Sequence, residues 1–158
     1  MTETPLRSGP STDLEPGTFR HAGRVFFDEL DPMGILHNAR YAVHVERATA
    51  AFFEANGFTW EASIEDNPDK FHAVRRFEVD LELPYLGTGP LDVDLWLDHL
   101  GATSLRYGFR CVGPQGQTHA SGLRSVVKLN PKTFRPEPWT DRWRAAHLSV
   151  LGPARSSG

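Results

Sequence analysis

Asp31-Pro32-Met33-Gly34-Ile35-Leu36-His37-Asn38-Ala39-Arg40-Tyr41 decides the fold, because it carries the chain from a strand-like segment through a tight turn into its longest helix-like segment. Asp-Pro followed by Gly34 is turn chemistry: proline presets φ at the first corner, and glycine accepts a positive φ or the close approach of a substrate. Asn38 is a favoured N-cap, so the helix is expected to open there with unpaired backbone N–H groups at its mouth. The same spacing sets the Asp31 carboxylate beside that opening. A base next to N–H groups that can hold an oxyanion is the minimum equipment for acyl hydrolysis.

Downstream, Tyr41, Val45, Ala48, Phe52 and Ala55 recur at spacings of four, three, four and three. That predicts a helix from Ala39 to Asn56 with one apolar stripe, stopped by Asn56-Gly57. Its small residues, Ala48, Ala50 and Ala51, suit a helix lying close against a sheet. Upstream, Phe19 to Asp28 reads as a first strand. Phe58 to Lys70 reads as a loop with at most a short turn of helix. Beyond it the period changes to two, in Phe77-Val79-Leu81-Leu83, Leu91-Val93-Leu95-Leu97 and Leu105-Tyr107-Phe109-Cys111, followed by a long strand from Thr118 to Leu129. This is the pattern of half-buried antiparallel strands, and it predicts a four-strand meander after the helix. A short helix is expected from Asp141 to Leu148. The class is α+β: about five antiparallel strands around one long helix.

The chain has 158 residues, 39% of them hydrophobic, enough for one domain with a real core and too few for two. We expect that domain at 18–150, between flexible tails at 1–17 and 151–158, both rich in Pro, Ser and Gly. A lone Cys111, a first stretch without the apolar core of a secretory signal, and the lack of a membrane-length apolar run point to a cytoplasmic protein with no membrane partner. The net charge of -3 hides an asymmetry: 8 Lys and Arg stand against 18 Asp and Glu up to residue 100, and 9 against 2 beyond it. Arg124, Lys128, Lys132 and Arg135 cluster in the basic part. They are either phosphate contacts or a solvated strand face. The acidic whole, without a reading motif, argues against nucleic acid. Seven scattered His residues without metal-ligand spacing argue against a metal site, and nothing in the pattern calls for a cofactor.

Asp followed by Pro-small-Gly, two apolar residues, a polar pair and a helix beginning Ala-Arg-Tyr resembles the active-site segment of hotdog-fold acyl-CoA thioesterases of the 4-hydroxybenzoyl-CoA thioesterase group. The likeness includes Glu46-Arg47-Ala48 on the helix and fits the layout from Phe19 to His147 without insertion. It implies hydrolysis of an acyl-CoA or acyl-carrier-protein thioester to acid and thiol. Asp31 would be the base or the nucleophile, and the Asn38 backbone N–H the oxyanion donor. His37 would position water, contact the thioester or cap the helix from outside. Gly34 would admit the substrate, and Tyr41 and His44 would pack or line the acyl pocket. Arg124 and Lys128 would meet phosphate. Glu46 lies about 140° round the helix from Tyr41, off the stripe, and the resemblance makes it a residue that can face a site across a subunit joint. Exposed strand edges predict self-association, and the resemblance implies a homodimer or a dimer of dimers (homotetramer). The rival reading is a non-catalytic protein that binds or senses acyl thioesters on the same fold.

Overall fold

The computed structural model describes residues 14–155. A five-stranded antiparallel sheet holds β1 (Phe19–His21), β5 (Asp92–Leu100), β6 (Ser104–Val112), β7 (Thr118–Lys128) and β3 (His72–Leu81), in the order β1-β5-β6-β7-β3. A two-stranded ribbon pairs β2 (Arg24–Val25) with β4 (Gly89–Pro90). The long helix α1 spans Tyr41–Ala55, and a second helix, α2, spans Asp141–Leu151. The expected antiparallel sheet and long helix are present.

Three details correct the sequence reading. The expected strand Phe19 to Asp28 is broken into β1, β2 and a 3-10 turn at Phe27–Glu29, because β1 pairs with β5 while β2 pairs with β4, with Gly23 packed closely between them. A Cβ there would stand 2.5 Å from the Leu91 carbonyl oxygen. The expected four-strand meander is a three-strand one, β5-β6-β7, and β3 crosses to pair with the far side of β7. Alternation tells a strand which residues face the core but not which strand lies beside it. The helix stripe is shifted slightly: Tyr41, Val45, Ala48 and Phe52 are buried as expected, but Ala55 is exposed and Phe53 takes its place in the core.

Register sorts the sheet into two faces. Phe77, Arg124, Tyr107 and Leu97 stand directly opposite one another across β3-β7-β6-β5 on the inner face, under the helices. Phe77 and Phe109 stack there with centroids 5.4 Å apart. Phe52, fully buried, meets Phe19 at 5.5 Å and the His147 ring at 5.0 Å, so one side chain joins β1, α1 and α2. Each such aromatic contributes roughly 1.5–3 kcal/mol by burial.

Thr140 caps α2, its hydroxyl accepting from the Trp143 N–H and donating to Asp69 at 2.5 Å. Trp143, His147 and Leu151 are spaced four apart and all buried. The expected tail boundary at 151 thus falls in the last turn of α2, and residues after it are tied back to the sheet. Arg155 donates its backbone N–H to the Leu97 carbonyl, reaches the Thr18 hydroxyl and lies over the Trp96 ring. Residues 156–158 and most of the expected N-terminal tail, up to 13, lie outside the described residues.

His147 accepts from the Tyr107 hydroxyl at Nε2 (2.6 Å) and donates from Nδ1 to the Trp143 carbonyl (2.8 Å). Those two bonds need the neutral ring, and burial pushes its pKa down from 6.5 to about 4. The unfolded chain therefore binds a proton that the folded one refuses across that window, so stability falls as pH drops from 6.5 to 4. Thermal melting followed through this range should show the decline, and His147→Gln, which cannot take up that proton, should flatten it.

Candidate functional site

The turn from Asp31 to Gly34 is closed by its own aspartate. Asp31 Oδ1 accepts from the Met33 N–H at 2.8 Å and the Ile35 N–H at 3.3 Å, while the Gly34 N–H donates to the Asp31 carbonyl at 2.9 Å. Gly34 takes φ +75°, a conformation that favours glycine, and a Cβ there would meet nothing within 4 Å. Asp31 Oδ2 has no hydrogen bond among the described residues. One carboxylate oxygen thus builds the loop.

The loop is zipped to the segment between β3 and β4. Leu36 donates to the Tyr85 carbonyl and Gly87 to the Gly34 carbonyl, both at 2.9 Å. Between the two segments lies a cleft of about 450 Å³. Asp31, Met33, His37, Asn38 and Tyr41 line one side, and Leu81, Leu83 and Pro84 the other. Asp31, Gly34, His37, Asn38 and Tyr41, singled out in the sequence, therefore meet at one place. Gly34 forms the turn beneath it.

The helix opens differently from the expectation. His37, not Asn38, is the cap: its Nδ1 accepts from the Ala39 N–H at 3.1 Å, and Asn38–Arg40 form a 3-10 turn that runs into α1. In the neutral ring the proton then sits on Nε2, which makes His37 a hydrogen-bond donor at the rim of the cleft. The Asn38 backbone N–H has no acceptor among the described residues. Burial pushes the Tyr41 phenol up to about 12, so it too stands at the cleft as a donor.

Glu46, Arg124 and Lys128 are elsewhere. Arg124 belongs to the inner-face row beneath the helices, buried, with Nη2 3.5 Å from the exposed Glu46 carboxylate on α1. Lys128 is buried as well, donating to the Pro138 carbonyl at 3.0 Å, with Asp69 at 3.6 Å and Glu137 at 3.7 Å. Both cations hold the protein together and line no part of the cleft. Residues two apart on a strand share a face, and Arg124 and Lys128 flank the buried Val126 on the inner one.

His44, expected to pack or line the pocket, instead meets a residue that sequence reasoning missed. Glu29, 4% exposed, receives the His44 Nε2 at 2.8 Å on Oε1, with Arg47 Nη1 at 3.8 Å from the same oxygen. Its Oε2 accepts from the Phe26 N–H at 2.8 Å, and its carbonyl accepts from the His37 N–H at 2.9 Å. Desolvation lowers the His44 pKa against the pull of Glu29, so a neutral ring donates to the carboxylate. Glu29 thereby ties the Asp31 loop to the second turn of α1. A lone Glu just past the end of the expected strand carries no signal of this. Among the described residues no three His, Cys, Asp or Glu side chains converge as a metal would need, and no helix is long and apolar enough to cross a membrane.

No family model and no curated protein matches the chain. Solved structures do. A thioesterase of Thermus thermophilus, solved with coenzyme A and zinc, is 27% identical over 88% of this chain and 97% of its own, with a TM-score of 0.72. A predicted thioesterase of Bacillus stearothermophilus is 23% identical, covers 89% of this chain and 99% of its own, and has a TM-score of 0.74. The DHNA-CoA thioesterase of Staphylococcus aureus is 17% identical, covers 84% and 90%, and has a TM-score of 0.73. The expected hotdog fold, similar to that of known thioesterases, is present.

Removing the Glu29 side chain should leave the Phe26 and His44 N–H groups without acceptors, at about 1–3 kcal/mol each. Urea denaturation of Glu29→Ala is expected to show a loss of roughly 2–4 kcal/mol, and an unchanged midpoint would contradict the role given to this residue.

Proposed function

We propose that the protein hydrolyses an acyl thioester carried on coenzyme A, or on the same prosthetic arm of a carrier protein. The carrying observation is the convergence in one cleft of the unbonded Asp31 Oδ2, the unpaired Asn38 N–H and a wall of apolar side chains. The thioester carbonyl oxygen sits at the opening turn of α1. There the Asn38 N–H and the positive end of the peptide dipoles stabilise charge as it develops. Asp31 either takes a proton from the attacking water or attacks the carbonyl carbon itself, giving a mixed anhydride that water opens. In both routes the C–S bond breaks, the carboxylic acid stays with the acyl chain, and the thiolate leaves with a proton. His37 donates from Nε2 to the water or the thioester. Its cap bond occupies Nδ1, which leaves the ring no role as base. The coenzyme A bound to the Thermus relative supports the CoA form of the substrate. The buried free Cys111 supports a cytoplasmic setting.

A second copy of the chain completes the site in this reading. β3 pairs only with β7 among the described residues, leaving one side of a ten-residue strand unpaired. Leu81 and Leu83 at its end are 54% and 45% exposed, and Met33 beside them is 75% exposed. An unpaired strand edge with an apolar rim is what strand-to-strand dimerisation covers. Sedimentation velocity should give at least twice the mass of one chain, and a monomer would remove the second copy from the site.

Asp31→Ala is expected to lower kcat about 10²- to 10⁴-fold with KM little changed, read as free thiol released from short, long and aromatic acyl-CoAs. Full activity in this variant sinks the hydrolase mechanism. If the wild type releases no thiol from any acyl-CoA or acyl-carrier protein, and the variant binds as tightly as the wild type, the protein is the non-catalytic acyl-thioester binder. Transfer of ¹⁸O from labelled water into Asp31 during a single turnover marks the nucleophilic route.

A further inference from the structure

The outer face of the sheet carries a cationic recess that the hydrolytic cleft does not use. Arg76 lies opposite Ser125, Ser125 opposite Arg106, and Arg106 opposite His99, so four polar residues form one continuous row across β3-β7-β6-β5. Neighbouring strands are about 4.8 Å apart, which sets the backbones of Arg76 and Arg106 about 10 Å from each other with the Ser125 hydroxyl between them. In a regular strand Arg75 would face the opposite side from Arg76. The register shift between Val74 and Arg76 makes Arg75 the extra residue of a β-bulge, and both arginines line the same recess of about 360 Å³. A bulge re-aims a side chain at the cost of ladder pairing, and such features gather at binding sites. A second register shift, between Leu97 and His99, stands at the other end of the row.

Leu105 is the one apolar residue lining the recess, and Ser104 adds a second hydroxyl. Arg76 is ion-paired with Glu78 and Arg106 with Asp98, which hold both guanidinium groups in place. A guanidinium has five N–H donors, so a carboxylate partner leaves others for a ligand. Arg75, exposed, has no ion pair or hydrogen bond among the described residues.

We propose that this recess binds phosphate groups. Three arginine forks and two hydroxyls match the several oxygens of a diphosphate or bisphosphate, for which Arg is the best-suited side chain. A single carboxylate would engage one fork. The phosphates are either those of the coenzyme portion of a thioester or free inorganic ones. The recess shares no residue with the cleft and does not depend on hydrolysis.

Titration calorimetry on the full chain, with pyrophosphate and with adenosine 3′,5′-bisphosphate as probes, tests this. At least one probe should bind the wild type, more weakly as salt rises. Arg75→Ala should weaken it by at least about tenfold, Arg75→Lys by less, and Lys132→Ala, on an exposed loop outside the recess, not at all. Bisphosphate binding, together with a raised KM for acyl-CoA at unchanged kcat in Arg75→Ala, identifies the coenzyme as the source. Pyrophosphate binding with KM unchanged identifies a free anion. The proposal is overturned if neither probe binds at millimolar concentration or if Arg75→Ala binds as the wild type does. Binding is read without turnover, so failure here is distinct from failure of the hydrolase reading.

Discussion

Burial of the Tyr41, Val45, Ala48 and Phe52 stripe on the inner face of the sheet is the constraint on which the remaining geometry depends. It fixes where α1 lies, and so where its first turn points. Because the helix is pinned along its length, with Phe52 also held by Phe19 and His147, the opening at Asn38 has one position relative to the end of β3. The cleft is the space left between that opening, the Asp31 turn and the Leu81–Pro84 segment.

The loop bearing Asp31 is short and irregular, and its position is set by anchors. Three anchors hold it: the aspartate's own Oδ1, the backbone bonds to Tyr85 and Gly87, and Glu29, which links the His37 N–H to His44 on the helix. The anchors divide the labour on one residue. Asp31 uses one oxygen to fold its turn, and its side chain still lines the cleft, so the structural use of an Asp-Pro turn is compatible with the proposed use in hydrolysis.

The two faces of the sheet, rather than position along the chain, sort the cations. Arg124 and Lys128 lie on the inner face and are consumed internally. Arg75, Arg76 and Arg106 lie outside, two of them in the acidic first hundred residues. Arg124 and Lys128, close in sequence, thus face inward. The arginines that share the outer surface come from two strands, β3 and β6, with β7 between them.

The sequence by itself determined the element types and the heart of the cleft. The 3.6-residue stripe of α1, the two-residue alternation of β3, β5, β6 and β7, and the turn chemistry of Asp31 to Gly34 are local, and local spacing is what a chain writes legibly. Tertiary structure alone decided which strand neighbours which, that His37 rather than Asn38 caps the helix, that Glu29 meets His44, and that a bulge turns Arg75 to the side of Arg76. Each of these depends on register or on contacts between distant segments. A one-residue shift in pairing reverses every side chain on a strand, and no single stretch of residues carries the information that sets it.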